Sequence, residues 1–279
     1  AASTKPASVT TSGADTAPEL VSNQHKHRCS TNLQRERTEA FDLNSREVEA
    51  MTVAMIPDQP GREAAVEPLL DELLAIFCPG WEMPQIMIGE HQHHRCEVKR
   101  YRLGEAAEAD RDLTRRHADL LTRAATHDQC RSGIRQLILP LVNTLGYRSV
   151  QSTIVDYVLT GTNAEKVGAT MAWYAAQSPL KYGSSEDFKN RIPTKESKAE
   201  RDSLADLRDA YRAACLESFL ACEDPGTRHD LALWIDPDPA SYPERLRSAQ
   251  QHAWKIITGA PAHYRLILQR SGFDAPPQA

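Results

Sequence analysis

Three amphipathic helical patterns follow one another between residues 131 and 177, with almost no chain between them. Gly146 separates the first pattern from the second, and the turn at residues 160–162 separates the second from the third. Within each pattern apolar residues recur at steps of three and four, which places them on one side of a helix. Helices joined by such short connections fold back antiparallel and bury their apolar sides against each other. The pattern is typical of a helical repeat.

The ends of these helices carry their own signals. Gly146 supplies a left-handed residue at the end of the first helix, and Gly161 is expected to adopt a positive backbone dihedral in the next connection. Thr162 with Glu165 three residues later predicts a capping box. Ser241 with Glu244 predicts a second capping box near the end of the chain.

The apolar periodicity lapses and then resumes. Residues 178–198 contain two prolines and many Ser, Lys and Glu residues, which predicts an exposed insertion longer than an ordinary helix connection. On either side of it, helix pairs are predicted at about residues 147–177, 203–235 and 243–271. Their spacing is compatible with repeats of about 40 residues.

The first part of the chain is less regular. A helix is predicted over residues 64–77, short strands over 86–88 and 96–103, and one long charged helix over 105–127. The polar, Ala- and Ser-rich N-terminal stretch lacks the apolar surface needed to offset the entropy of ordering. The predicted organisation is a disordered tail (1–44), a small α+β or irregular region (45–104), a helical-repeat domain (105–272) and a short tail (273–279).

Several segments of the chain resemble segments of known protein families. They are residues 146–150 (GYRSV), 159–169 (LTGTNAEKVGA), 217–220 (ESFL), 242–247 (YPERLR) and 262–265 (AHYR). These segments are similar to HEAT-like helical-repeat proteins of uncharacterised actinobacterial families, in which a tyrosine-proline step opens the penultimate helix. The resemblance covers about residues 134–272. It implies a HEAT-like α-α superhelix and no particular reaction.

Charge and hydropathy exclude some partners. The net charge of −5 argues against broad attraction to nucleic acid or to an anionic membrane surface, because both need a cationic protein surface. No stretch approaches the roughly 20 apolar residues of a membrane span, and no apolar secretory signal is found at the N-terminus. Six cysteines without close pairing argue against a disulfide framework. These features predict a cytoplasmic protein.

Histidines are concentrated in two short clusters that both end in His-Arg-Cys, at residues 25–29 and 91–96. Imidazole nitrogen and thiolate are good ligands for zinc. The candidate ligands in the second cluster are His91, His93 and Cys96, and an extended chain would place two of the cluster's side chains on each face. The alternative interpretation is a solvated polar strand or loop for the second cluster and a disordered tail for the first, with no metal bound. Beyond this candidate zinc site the sequence predicts no cofactor.

A candidate binding surface consists of Trp173, Arg111 and Arg115. Aromatic residues dominate interface anchors, and the two arginines belong to a basic stretch suited to phosphates along a concave surface. The alternative for Trp173 is packing in the core, since an aromatic side chain buries a large area. The alternative for the arginines is a solvated helix face, because Asp residues at helical spacing neutralise them.

The predicted function is that of a scaffold that binds another macromolecule, a protein above all, through a helical surface and without catalysis. No nucleophile turn or glycine-rich loop indicates an enzyme. Two alternatives remain open: a HEAT-like enzyme that acts on nucleic-acid bases, and a metal-binding protein that uses the cluster at residues 91–96.

Overall fold

The computed structural model describes residues 62–85, 92–128, 130 and 133–272, which belong to one compact unit of the chain. These residues form mainly α-helices, and no strand occurs among them, so the predicted mainly α class is confirmed. The helices in chain order are α1 (Arg62–Phe77), α2 (Gln92–Ala109), α3 (Arg111–Arg116), α4 (Ala118–Thr126), α5 (Ile134–Leu145), α6 (Tyr147–Thr160), α7 (Asn163–Ala175), α8 (Ser185–Lys189), α9 (Lys195–Asp202), α10 (Ala205–Ala221), α11 (Pro225–Ala232), α12 (Glu244–Gly259) and α13 (Arg265–Arg270), with a 3₁₀ turn at Pro239–Ser241.

The strand predicted over residues 96–103 is wrong, because this stretch lies inside α2. Cys96, Leu103 and Ala107 are buried on one side of that helix, together with Lys99 and Arg100. Two charged residues in the buried stripe hide its helical periodicity in the sequence. The strand predicted over residues 86–88 lies outside the described residues, and the helix predicted over 64–77 is confirmed as α1.

The single long helix predicted over residues 105–127 is also wrong. The chain breaks after α2, where the side chain of Asp110 accepts a hydrogen bond from the backbone N–H of Leu113 (2.8 Å) and caps α3. The hydroxyl of Thr114 donates to the carbonyl of Ala107 across this break (2.6 Å). A second break at His117 separates α3 from α4. Side-chain capping competes here with helix continuation.

The three central helices α5, α6 and α7 lie where the apolar spacing predicted them. Gly146 has φ +82° and ends α5, and Thr162 with Glu165 forms the predicted capping box of α7. The positive dihedral predicted for Gly161 is wrong, since its φ is −66°. A side chain is excluded there by space instead: a Cβ would lie 2.6 Å from the carbonyl oxygen of Tyr157.

The second predicted capping box is wrong as well. Helix α12 begins at Glu244 with Pro243 as its N-cap, and no side chain caps it. The hydroxyl of Ser241 donates instead to the carboxylate of Asp236 (2.9 Å). By contrast, Asp224 caps α11 through the N–H of Thr227 (2.7 Å).

The later helices pack in a layered order. Helix α6 packs against α7, and α10 packs against α11. Helix α6 also contacts α10 while α7 contacts α11, and α10 in turn contacts α12. Among the helices of the described residues, none is long and apolar enough to cross a membrane.

Candidate functional site

The predicted zinc ligands are not assembled as the sequence suggested. His91 lies outside the described residues. His93 is partly exposed on α2, whereas Cys96 is fully buried in the hydrophobic core three residues later. The predicted alternation of an extended chain does not apply, because both residues belong to a helix.

The structure brings a different set of potential ligands together: His93, Glu97 and Cys130, one ligand atom of each lying within 4.8 Å of the other two. Nε2 of His93 lies 3.6 Å from Oε1 of Glu97, one helical turn further along α2. Cys130 comes from the segment that connects α4 to α5. A helical interpretation of residues 92–109 would have identified the His93 and Glu97 pair, but no sequence signal joins Cys130 to it.

A buried ion pair lies beside this group. Nε of Arg100 donates to Oδ2 of Asp128 (2.6 Å) and Nη2 donates to Oδ1 (2.7 Å), with both side chains 0% exposed. Burial acts to lower the pKa of Arg100, but the charge of Asp128 and its hydrogen bonds raise it overall. Oδ1 of Asp128 also accepts the backbone N–H of Cys130 (2.9 Å). The pair therefore fixes the segment that carries Cys130 to α2.

A second set of charged residues joins α2 to α1 at the edge of a groove of about 480 Å³. Nζ of Lys99 contacts Oε1 of Glu67 (2.9 Å) and Oδ1 of Asp71 (2.6 Å), and Nε of Arg95 contacts Oε1 of Glu67 (3.2 Å). Burial acts to raise the pKa of Glu67, but the hydrogen bonds from Arg95 and Lys99 lower it to about 2. The cations of this groove are thus neutralised by carboxylates of the same chain.

The predicted binding surface is not formed by its three residues. Trp173 is only 3% exposed, and its ring stacks on that of Tyr211 with 4.0 Å between centroids, so it packs in the core. Arg111 and Arg115 are exposed on α3. Nη1 of Arg115 lies 2.8 Å from Oδ1 of Asp112, which is the neutralising pair expected of a solvated helix face.

Exposed apolar side chains occur instead on the insertion of residues 178–198. Phe188 is 65% exposed and Ile192 57% exposed, and the ring of Tyr182 contacts that of Phe188 edge-on at 5.2 Å. The backbone N–H of Ile192 donates to the carbonyl of Asp187 (2.8 Å), which keeps Ile192 within a turn of Phe188. We call Tyr182, Phe188 and Ile192 the insertion patch.

The insertion is held in place by its own hydrogen bonds. The N–H of Thr194 donates to the carbonyl of Lys181 (2.7 Å), and the N–H of Lys181 donates to the hydroxyl of Ser197 (3.0 Å). Thr194 also caps α9. The patch thus belongs to a defined substructure rather than to an arbitrary stretch of polar chain.

Comparisons of the chain with protein-family models, with curated proteins and with solved structures found no match. The resemblance to HEAT-like proteins therefore stays a prediction.

Proposed function

We propose that this protein binds another protein through the insertion patch, with its helix pairs acting as the rigid support. The observation that carries the proposal is the exposure of Phe188 and Ile192 on an internally bonded insertion. When a partner covers apolar groups that are in contact with water, the free energy of the complex is lowered. Exposed apolar groups framed by polar residues mark interaction sites, and long loops on a rigid scaffold carry function more often than short connections.

The charge around the patch indicates the chemistry of the partner. Residues 178–198 carry five cationic side chains (Lys181, Lys189, Arg191, Lys195 and Lys198) and three carboxylates (Glu186, Asp187 and Glu196), in a chain whose net charge is −5. All five cations are exposed, and Lys198 is paired with Asp202. Charges at the rim of an interface steer association and select partners. The partner we propose presents an apolar pocket with an acidic rim.

The support for the patch is a HEAT-like stack of helix pairs. The contacts of α6 with α10 and of α7 with α11 favour this arrangement, because equivalent helices of successive repeats pack on each other in a solenoid. The predicted resemblance over residues 134–272 is consistent with it. Each pair buries an apolar side that it cannot bury alone.

An enzyme acting on nucleic-acid bases is the less favoured alternative. Such an enzyme needs an accessible aromatic side chain to stack on the flipped base and cations to hold phosphates. The aromatic and the cation that the sequence singles out do not fit these roles, because Trp173 is enclosed against Tyr211 and the charge of Arg115 is compensated by Asp112.

The test uses a library of random peptides displayed on phage, selected on the purified full-length protein. We expect selected peptides to combine an apolar residue with Asp or Glu, and a double variant Phe188→Ser with Ile192→Ser to lower their affinity at least about tenfold. Tyr101→Ser is the matched control, because Tyr101 is similarly exposed on α2.

Peptides that bind the double variant as tightly as the wild-type protein would contradict the proposal. So would binding to anionic lipid vesicles that depends on Phe188 while no peptide is selected.

A further inference from the structure

We infer that His93, Glu97 and Cys130 form a binding site for a zinc ion. The two regions that supply these ligands, α2 and the segment before α5, are remote in sequence and are joined by the Arg100 and Asp128 pair. This site is separate from the insertion patch, and it differs from the set of residues that the sequence alone indicated.

The geometry suits a small cation. Zinc binds nitrogen, oxygen and sulfur at about 2.0–2.3 Å, so tetrahedral ligands lie roughly 3.3–3.8 Å apart. The 3.6 Å between the imidazole of His93 and the carboxylate of Glu97 falls in that range. The ligand atoms of all three residues lie within 4.8 Å of one another. Side-chain rotation can shorten these distances to the range of a zinc site, because His93 and Glu97 are 41% and 51% exposed and can change rotamer.

The donor set selects for zinc by charge and softness. A thiolate from Cys130 and a carboxylate from Glu97 supply two negative charges, which match the charge of the ion, and a neutral imidazole completes the set. A soft sulfur beside imidazole favours zinc over magnesium or calcium, which prefer oxygen ligands alone. Partial exposure leaves a fourth position for water, as in zinc sites with three protein ligands.

Cys130 is held by a supporting shell of hydrogen bonds. Its N–H donates to Asp128 (2.9 Å), its carbonyl accepts the N–H of Ile134 (2.8 Å), and its Sγ accepts the N–H of Gly133 (3.3 Å). A Cβ at position 133 would lie 3.1 Å from that Sγ and 2.7 Å from Cδ of Arg100, so a glycine is required for this approach. Such outer contacts orient the ligands of metal sites.

The positive charge of Arg100 does not oppose the ion strongly. Arg100 is close enough to interact with Cys130, but both of its bonded nitrogens face the carboxylate of Asp128. The Arg100 and Asp128 pair therefore contributes little net charge at the position of the metal.

The test is made on the full chain without a histidine tag. Protein stripped with chelator is titrated with zinc by calorimetry and with cobalt by absorption spectroscopy. We expect about one equivalent of each metal, a thiolate-to-cobalt charge-transfer band, and a higher melting temperature with zinc, since an ion bound by the folded state stabilises it.

Variants assign the ligands. His93→Ala and Cys130→Ser should each lower zinc affinity by at least about tenfold to a hundredfold, and Cys130→Ser should abolish the charge-transfer band. The matched controls are His94→Ala, a neighbouring exposed histidine, and Cys96→Ala, the cysteine that the sequence favoured. Both should bind zinc like the wild-type protein.

Three results would overturn the inference: substoichiometric zinc with no charge-transfer band, loss of binding in His94→Ala equal to that in His93→Ala, or full binding by the double variant His93→Ala with Cys130→Ser. The last would place the metal elsewhere, with the His25, His27 and Cys29 cluster as the next candidate.

Discussion

Gly168 lies at a close approach between the backbones of two described helices. It lies within α7, opposite the end of α4. A Cβ at this position would lie 2.5 Å from the carbonyl carbon of Thr126 and would overlap its carbonyl oxygen. Backbone atoms cannot rotate away as a side chain can. Gly168→Ala should therefore force α7 and α4 apart.

The magnitude follows from two opposing effects. Replacing glycine by alanine inside a helix ordinarily stabilises the protein by about 1 kcal/mol. Overpacking costs about 1–3 kcal/mol and more where the backbone has to move. For Gly168→Ala the clash is with backbone, which puts the overpacking cost at the upper end of that range, and we expect a net loss of about 2 kcal/mol in the free energy of unfolding.

Two other helical glycines provide matched substitutions. At Gly259, the last residue of α12, a Cβ meets nothing within 4 Å, so Gly259→Ala should stabilise the protein by roughly 0.5–1 kcal/mol. At Gly104 a Cβ would lie 2.9 Å from the carbonyl oxygen of Gln136, and Gly104→Ala should fall between the other two.

The assay is unfolding of the three variants in urea, with the loss of helix monitored by far-ultraviolet circular dichroism. We expect the order Gly259→Ala, wild type, Gly104→Ala, Gly168→Ala from most to least stable. Equal or higher stability for Gly168→Ala than for wild type would show that α7 and α4 are not packed backbone to backbone, and the reasoning would fail.

Three further perturbations test the two sets of charged residues and the closely packed turn at Gly161. The folded-state pKa of Glu67 is about 2, whereas its ordinary value is 4.5. The ionised carboxylate therefore contributes its full stabilisation above about pH 4.5 and loses it as the pH falls toward 2. The free energy of unfolding, measured across that pH range, should fall less for Glu67→Gln than for the wild-type protein. Asp128→Asn leaves the charge of Arg100 buried without its partner and should cost about 3–5 kcal/mol in urea unfolding, while an apolar double replacement of the pair should recover most of that loss; no recovery would argue against a simple ion pair. Gly161→Val should lower the melting temperature more than Gly183→Val, because a Cβ meets backbone at the first position and only the side chain of Asp187 at the second, and equal melting temperatures would contradict this.

The central helices were predictable because their buried faces are mostly apolar. Spacing alone indicates α5, α6 and α7, and the Thr162 and Glu165 box marks where the last one begins. Helix α2 was not predictable in this way, since Lys99 and Arg100 occupy buried positions. Their carboxylate partners come from α1 and from the segment after α4, and no local sequence pattern predicts those contacts.

The candidate zinc site was predictable only in part. His93 follows from the cluster of histidines, and Glu97 follows once residues 92–109 are taken as a helix, because positions four apart lie on one face. Cys130 depends on tertiary contacts. The sequence favours Cys96 as a ligand because it lies next to the histidines, but the helix places its side chain in the core.

One stripe of α2 connects the two features of this region. His93, Glu97 and Arg100 follow each other at steps of four and three, which places them on the same face of the helix. At the buried end of this stripe Arg100 binds Asp128, and at the exposed end His93 and Glu97 lie beside Cys130, whose backbone N–H is bound to the same Asp128. An ion pair whose carboxylate accepts the backbone N–H of Cys130 therefore helps to set the position of the thiol relative to the imidazole. A metal site whose geometry is fixed by outer contacts loses affinity when those contacts are removed. Asp128→Asn should thus weaken zinc binding even under conditions where the variant remains folded.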